Sequence, residues 1–117
     1  MVHPKKSQLY KIRCYKSVFN IPKKSLDLAI NILPIKSVLD ALMDCIDFGV
    51  KSIIIESEKL FLENNPANKR KLREIKEKIN ESSQSRVMGP NSIGIYNAIK
   101  SQLRFTTSLI FFDRFPK

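Results

Sequence analysis

The chain is poor in the residues that build many catalytic and metal centres. It carries one histidine, two cysteines, three glycines and no tryptophan in 117 residues. The one histidine, His3, lies near the start. That leaves no interior imidazole for a hydrolytic triad and no His/Cys cluster for zinc. Cys14 and Cys45 are far apart, each among apolar or helix-forming neighbours, which predicts free buried thiols and no metal site. No apolar run reaches the roughly 18 residues of a membrane-spanning helix, and no signal-peptide core follows Met1. These absences predict a cytoplasmic protein without membrane contact. Low-complexity tracts are missing too, and 43% hydrophobic content in a chain of one domain's length is enough for a real core.

Positive charge, by contrast, is plentiful: the formal net charge is +10. The densest group is Lys69-Arg70-Lys71-Leu72-Arg73. Nucleic acid, a phosphorylated cofactor, or a lysine-rich proteome with no function attached would each account for the excess. Interleaving with Glu74, Glu77 and Glu81 gives the cluster the look of a solvated helix face. No recognised nucleic-acid motif accompanies it, which argues against a nucleic-acid partner.

Along the chain, Val2-His3-Pro4-Lys5-Lys6 has the form of a strand tail ending in a proline turn. Residues 10–15 alternate partly and predict a short extended piece. Ser17-Val18-Phe19-Asn20-Ile21-Pro22 predicts one helical turn, capped by Ser17 and ended by Pro22. Leu26 to Leu33 is an apolar run with little alternation, the pattern of a strand buried on both faces. From Ile35 the period changes: Ile35, Val38, Leu39, Leu42, Met43 and Ile46 form one helical stripe. Gly49 is placed to end that helix in a left-handed cap, and residues 50–55 read as a second buried strand. Asn65-Pro66 is a cap and first-position pair for a further helix, with Leu72, Ile75 and Ile79 facing inward and Glu74 spaced to pair with Lys78. Leu60-Phe61-Leu62 is an apolar patch of undefined state. Arg86-Val87-Met88 predicts a third strand, and residues 93–96 and 103–112 show strand propensity again.

Strand, helix, glycine, strand with short joints is a βαβ unit. The whole pattern predicts an α/β fold with an open, mostly parallel sheet and flanking helices. Ligands of such sheets bind outside the carboxyl ends of the strands. Those ends are residues 2–5, 33–36, 55–57 and 88–94. The last contains Gly89-Pro90-Asn91-Ser92-Ile93-Gly94, a backbone that proline and glycine hold in an unusual shape. It predicts a tight turn between strands or a loop whose backbone groups face a ligand.

These segments resemble the CoA-binding domain of the NDP-forming acyl-CoA synthetases, the family of the succinyl-CoA synthetase α subunit and the ADP-forming acetate–CoA ligases. The loop from Gly89 to Asn97 is similar to the family's Gly-Pro-Asn-Cys/Ser-x-Gly-x-x-Asn. His3-Pro4-Lys5 resembles its Asn/Thr-Pro-(Gly)-Lys turn, and Tyr15 to Pro22 its Tyr-x-Ser-Val-x-Asp-Ile-Pro segment. Leu26 to Pro34 resembles its third strand and proline turn. Two features depart from the pattern: His3 replaces Asn or Thr, and residues 56–59 lack the family's glycine. The resemblance also implies a Rossmann-like domain over residues 1–117 that lacks the first strand and its glycine-rich phosphate turn. Residues 98–117 would then lead toward an absent second domain that carries the family's phosphohistidine.

The resemblance implies a CoA-binding lobe or fragment of an acid–CoA ligase, nucleotide-binding but not catalytic alone, with coenzyme A as its cofactor if binding survives without that turn. Its candidate binding residues are Lys5, Pro34, Lys36, Ile55, Glu56, Ser57 and Asn91. Lys5 would meet a phosphate as a point charge, and Pro34 and Lys36 open a helix whose terminal amides favour an anion. Glu56 suits a ribose or adenine donor better than a phosphate, which it would repel. No residue is a candidate catalyst, and Ser17 has no base to activate it. Two alternatives stand beside this reading. One is a degenerate interaction module that pairs with itself or with a separate ligase subunit through a bare sheet edge; the other is a basic nucleic-acid binder.

Overall fold

The computed structural model describes residues 1–22, 26–57, 65–81, 84–90, 92, 96–97 and 105–106. Its centre is a parallel sheet of three strands in the order β3 (Leu28–Asn31), β4 (Ser52–Ile55) and β5 (Arg86–Met88). The register sets Ile30 beside Ile54 and Ile54 beside Met88. Helix α1 (Ile35–Phe48) connects β3 to β4, and α2 (Pro66–Glu81) lies between β4 and β5 in the chain. This is the parallel α/β arrangement expected from the apolar patterning, and it is Rossmann-like as the family resemblance implied.

The boundaries follow from local chemistry. Pro34 accepts the amides of Ser37 and Val38 through its carbonyl at the start of α1, with no side-chain cap. Gly49 closes the helix at φ +84° and donates back to Cys45 and Ile46, as a left-handed glycine cap requires. The Asn65 Oδ1 accepts the Ala67 amide at 2.9 Å and so caps α2 from the side chain. Near the N-terminus, the Ser17 hydroxyl oxygen accepts the Phe19 amide and starts a 3₁₀ turn over Val18–Asn20.

The core lies between the sheet and the two helices. Val38, Leu39, Leu42 and Ile46 of α1 pack with Val18, Val50, Ile53, Ile55 and the Ile75 of α2, and Leu72 and Ile79 flank it. Full burial of each such side chain stabilises the fold by roughly 1.5–3 kcal/mol. The 3₁₀ turn is tied in by Val18 and by an edge-to-face contact of Phe19 with Phe48, centroids 5.9 Å apart. Lys71 pairs with Asp40 and Lys78 with Asp47, so part of the basic excess joins α2 to α1. Lys78 therefore reaches across to the neighbouring helix rather than back to Glu74.

Three details differ from the sequence pattern. The run at β3 is not buried on both faces: Leu28, Ile30 and Ile32 are 41%, 39% and 69% exposed, while Ala29 and Asn31 turn toward the core. An apolar run cannot tell which faces other elements cover. Residues 10–15 are part of a hairpin, with β1 (Gln8–Leu9) antiparallel to β2 (Ile12–Arg13) and Tyr10 and Lys11 at positive φ in its turn. Val2 forms only a single parallel bridge, to Tyr15. A separate antiparallel pair joins β6 (Tyr96–Asn97) to β7 (Phe105–Thr106). The Leu60 to Leu62 patch lies outside the described residues. Cys14 and Cys45 are both free thiols, Cys14 buried and Cys45 half-buried. No described helix is long and apolar enough to cross a membrane.

Candidate functional site

The carboxyl ends of β3, β4 and β5 form one rim, and polar groups fasten its parts to each other. Asn31, the last residue of β3, is buried inside an apolar neighbourhood. Its Nδ2 donates to the Val38 carbonyl at 3.3 Å and its Oδ1 accepts the Leu33 amide at 3.2 Å. One side chain thus fixes both the strand end and its approach to α1. The Ser57 hydroxyl donates to the Leu33 carbonyl at 2.6 Å, which ties the loop after β4 to the loop after β3. Between them the Glu56 amide donates to the Asn31 carbonyl at 3.1 Å.

Gly89 explains the third strand's exit. A Cβ at this position would stand 2.2 Å from the Ile55 carbonyl oxygen, and φ is +97°. Only a residue without a side chain lets the loop after β5 lie this close to β4. The peptide into Pro90 is cis. What the sequence offered as a tight turn is therefore also a close approach of two backbones at the rim.

The structure brings Pro34, Ile55, Glu56 and Ser57 to this rim. Ile55 is buried beneath it as part of the core. Glu56 is only 5% exposed, and its Oε1 has no hydrogen-bond donor among the described residues. A buried carboxylate oxygen of this kind is suited to a donor, not to an anion. Lys36 is exposed in the first turn of α1, which contains no acidic residue, so that helix end keeps its attraction for negative charge. Lys5 is exposed on a separate N-terminal turn, where its amide donates to the His3 Nδ1. Asn91 lies outside the described residues. One residue of the rim, Asn31, escaped the sequence reading; the Gly89 loop was read from the sequence, but not its close approach to Ile55. The signal for Asn31 was a lone amide within an apolar run.

Comparison with known proteins finds this sequence and fold within longer chains. The family model described as "CoA binding domain" matches residues 1–98. An ADP-forming acetate–CoA ligase of Methanocaldococcus jannaschii is 32% identical over 82% of this chain and 13% of its own. The alpha subunit of ADP-forming acetate–CoA ligase II of Pyrococcus furiosus is 35% identical over 82% of this chain and 20% of its own. A solved structure from Pyrococcus horikoshii superposes with a TM-score of 0.66 at 35% identity, covering 82% of this chain and 21% of that one. A dinucleotide-forming acetyl-coenzyme A synthetase of Ca. Korarchaeum cryptofilum, in complex with phosphate and ADP, superposes with a TM-score of 0.61 at 28% identity, covering 81% and 20%. The chain thus spans about a fifth or less of the length of these relatives.

Proposed function

The chain belongs to the CoA-binding domain family, and from that premise we propose that it is a single lobe that holds coenzyme A at the carboxyl-end rim of β3, β4 and β5. The observation that carries the reading is the family match over residues 1–98, which contains every described strand end of the rim. Coenzyme A joins an anionic phosphate cluster to an adenosine with neutral donors. The rim has matching chemistry for both. Lys36 and the N-terminal amides of α1, with Lys5 from the N-terminal turn, complement phosphate. Glu56 accepts from a ribose hydroxyl or the adenine amine, and Ser57 and Pro34 shape the wall between them. Gly89 closes the opposite side over Ile55.

The lobe's work is to bind and orient. The relatives are ADP-forming acetate–CoA ligases several times longer, so we assign acid activation and phosphate transfer to parts beyond this stretch. Calorimetric titration with CoA, dephospho-CoA and ATP tests the binding claim. Heat with CoA and weaker heat with dephospho-CoA is the expected result; no heat with any of them overturns it. Formation of acyl-CoA from acid, ATP and CoA by the pure chain would overturn the assignment of a binding role alone.

A second reading has its own observation. On the face of the sheet away from the core, Leu28, Ile30, Ile32 and Met88 are exposed around a buried Ile54. This face suits another polypeptide, and the Pyrococcus furiosus relative is itself a subunit. Pairing with a separate ligase subunit would cover it. Size-exclusion chromatography of the chain alone and with a ligase β subunit tests this, and strictly separate elution of the mixture overturns it.

A further inference from the structure

The geometry points to His3 as a positioning residue that makes the anion-holding turn of Lys5 and Lys6 sensitive to protonation, an inference that rests on the coenzyme reading for its ligand. The His3 backbone is anchored, since its amide donates to the Tyr15 carbonyl at 2.9 Å while the Tyr15 amide donates to Met1. From this anchor the half-buried imidazole turns back over its own loop. Its Nδ1 accepts both the Lys5 amide at 3.2 Å and the Lys6 amide at 3.0 Å. These are the two hydrogen bonds that shape the turn after Pro4.

An imidazole nitrogen accepts only while it is unprotonated, so this arrangement requires the neutral ring with its hydrogen on Nε2. A proton added at Nδ1 turns the acceptor into a donor that faces two N–H groups. The turn then loses the contact that holds Lys5 and Lys6 in place. The charged and titratable groups on the segments hydrogen-bonded to His3 are the Met1 ammonium, Lys5, Lys6, Arg13, the Cys14 thiol, Tyr15 and Lys16. Residues 1–22 contain no Asp or Glu, so the imidazolium finds no carboxylate on its own segment.

The sign of the effect separates this role from simple electrostatics. A histidine that only added positive charge would strengthen anion binding in acid. A histidine that holds the turn weakens it. The comparison is wild type against His3→Asn, whose side-chain oxygen accepts without titrating, and the ligand's own phosphate titration is common to both.

The experiment follows Lys5 and Lys6 amide resonances and the His3 ring protons from pH 8 to pH 5, alongside CoA affinity by calorimetry. In wild type the two amides move along the same titration curve as the ring, and in His3→Asn they stay still. Wild-type affinity for CoA falls about three- to tenfold relative to His3→Asn across that range, the size of a lost hydrogen bond. Amides that ignore the ring titration, or affinity that rises relative to His3→Asn in acid, overturn the proposal. No heat with CoA at either pH removes the coenzyme reading, while the amide titration still decides the role of His3 in the turn.

Discussion

At the carboxyl end of the sheet, Asn31, Ser57 and Gly89 are locked against neighbouring backbone, whereas at the N-terminal turn Lys5 stands exposed on a loop held by one imidazole nitrogen. Both places present chemistry that suits a phosphorylated ligand. They differ in what they share with the fold. The rim's contacts are also contacts of the core, because Ile55 and the start of α1 belong to both. The turn's contacts are local and face solvent. Perturbing the rim should therefore cost stability first, and perturbing the turn should cost affinity with the fold intact.

The largest expected effect is at Gly89. Gly89→Ala forces a Cβ into the Ile55 carbonyl at a positive φ and should destabilise the fold by about 3 kcal/mol or more in urea unfolding. Gly49→Ala is the internal control, since its φ is also positive but nothing lies within 4 Å of the added carbon. It should cost only about 1 kcal/mol. Equal losses at the two glycines would remove the close approach at the rim from the account.

Asn31→Ala comes next. It removes two hydrogen bonds and leaves the Leu33 amide without its acceptor, a loss of about 2 kcal/mol. Ser57→Ala, which removes one bond to the Leu33 carbonyl, should cost about 1 kcal/mol. Lys5→Ala sharpens the contrast from the other side. Its unfolding midpoint should match wild type, while its CoA dissociation constant rises about fivefold. A Lys5→Ala protein that unfolds early would mean that the turn, too, is part of the fold.

The last effect shows only in alkali and concerns Cys45. Burial, with the Asp44 carboxylate beside it, pushes this thiol up to about 11 from its ordinary 9.0. Between those values the unfolded chain has released a proton that the folded chain keeps. The Cys45 contribution to stability is therefore fully present below pH 9 and is lost as pH rises toward 11. Wild type should lose stability over this window more steeply than Cys45→Ala in paired unfolding curves.

Much of the framework was legible from residue order. The stripe from Val38 to Ile46, the stop at Gly49, the Ser17 cap and the Asn65-Pro66 pair each rest on local chemistry, and each stands where the pattern set it. What escaped depends on neighbours distant in sequence. Nothing in Tyr10-Lys11 signals a hairpin turn, because neither residue favours positive φ. The exposure of Leu28 and Ile30 depends on what covers the sheet. Lys78 had Glu74 one turn away, yet tertiary packing brings Asp47 of α1 to it. The rim positions came from strand ends, which patterning locates well. The bonds of Asn31 and the contact of Gly89 with Ile55 needed the three-dimensional register. His3 looked like an odd replacement in a turn, and only its geometry revealed two amides on one nitrogen.

The central claim is that the coenzyme sits on the rim of β3, β4 and β5. Amide chemical-shift mapping of the chain during CoA addition tests it most directly. The account predicts the largest shifts at Lys36, Glu56, Ser57 and Gly89, with smaller ones at Lys5 and Lys6. Shifts confined to the outer surface of α2, or none at saturating CoA, would contradict it.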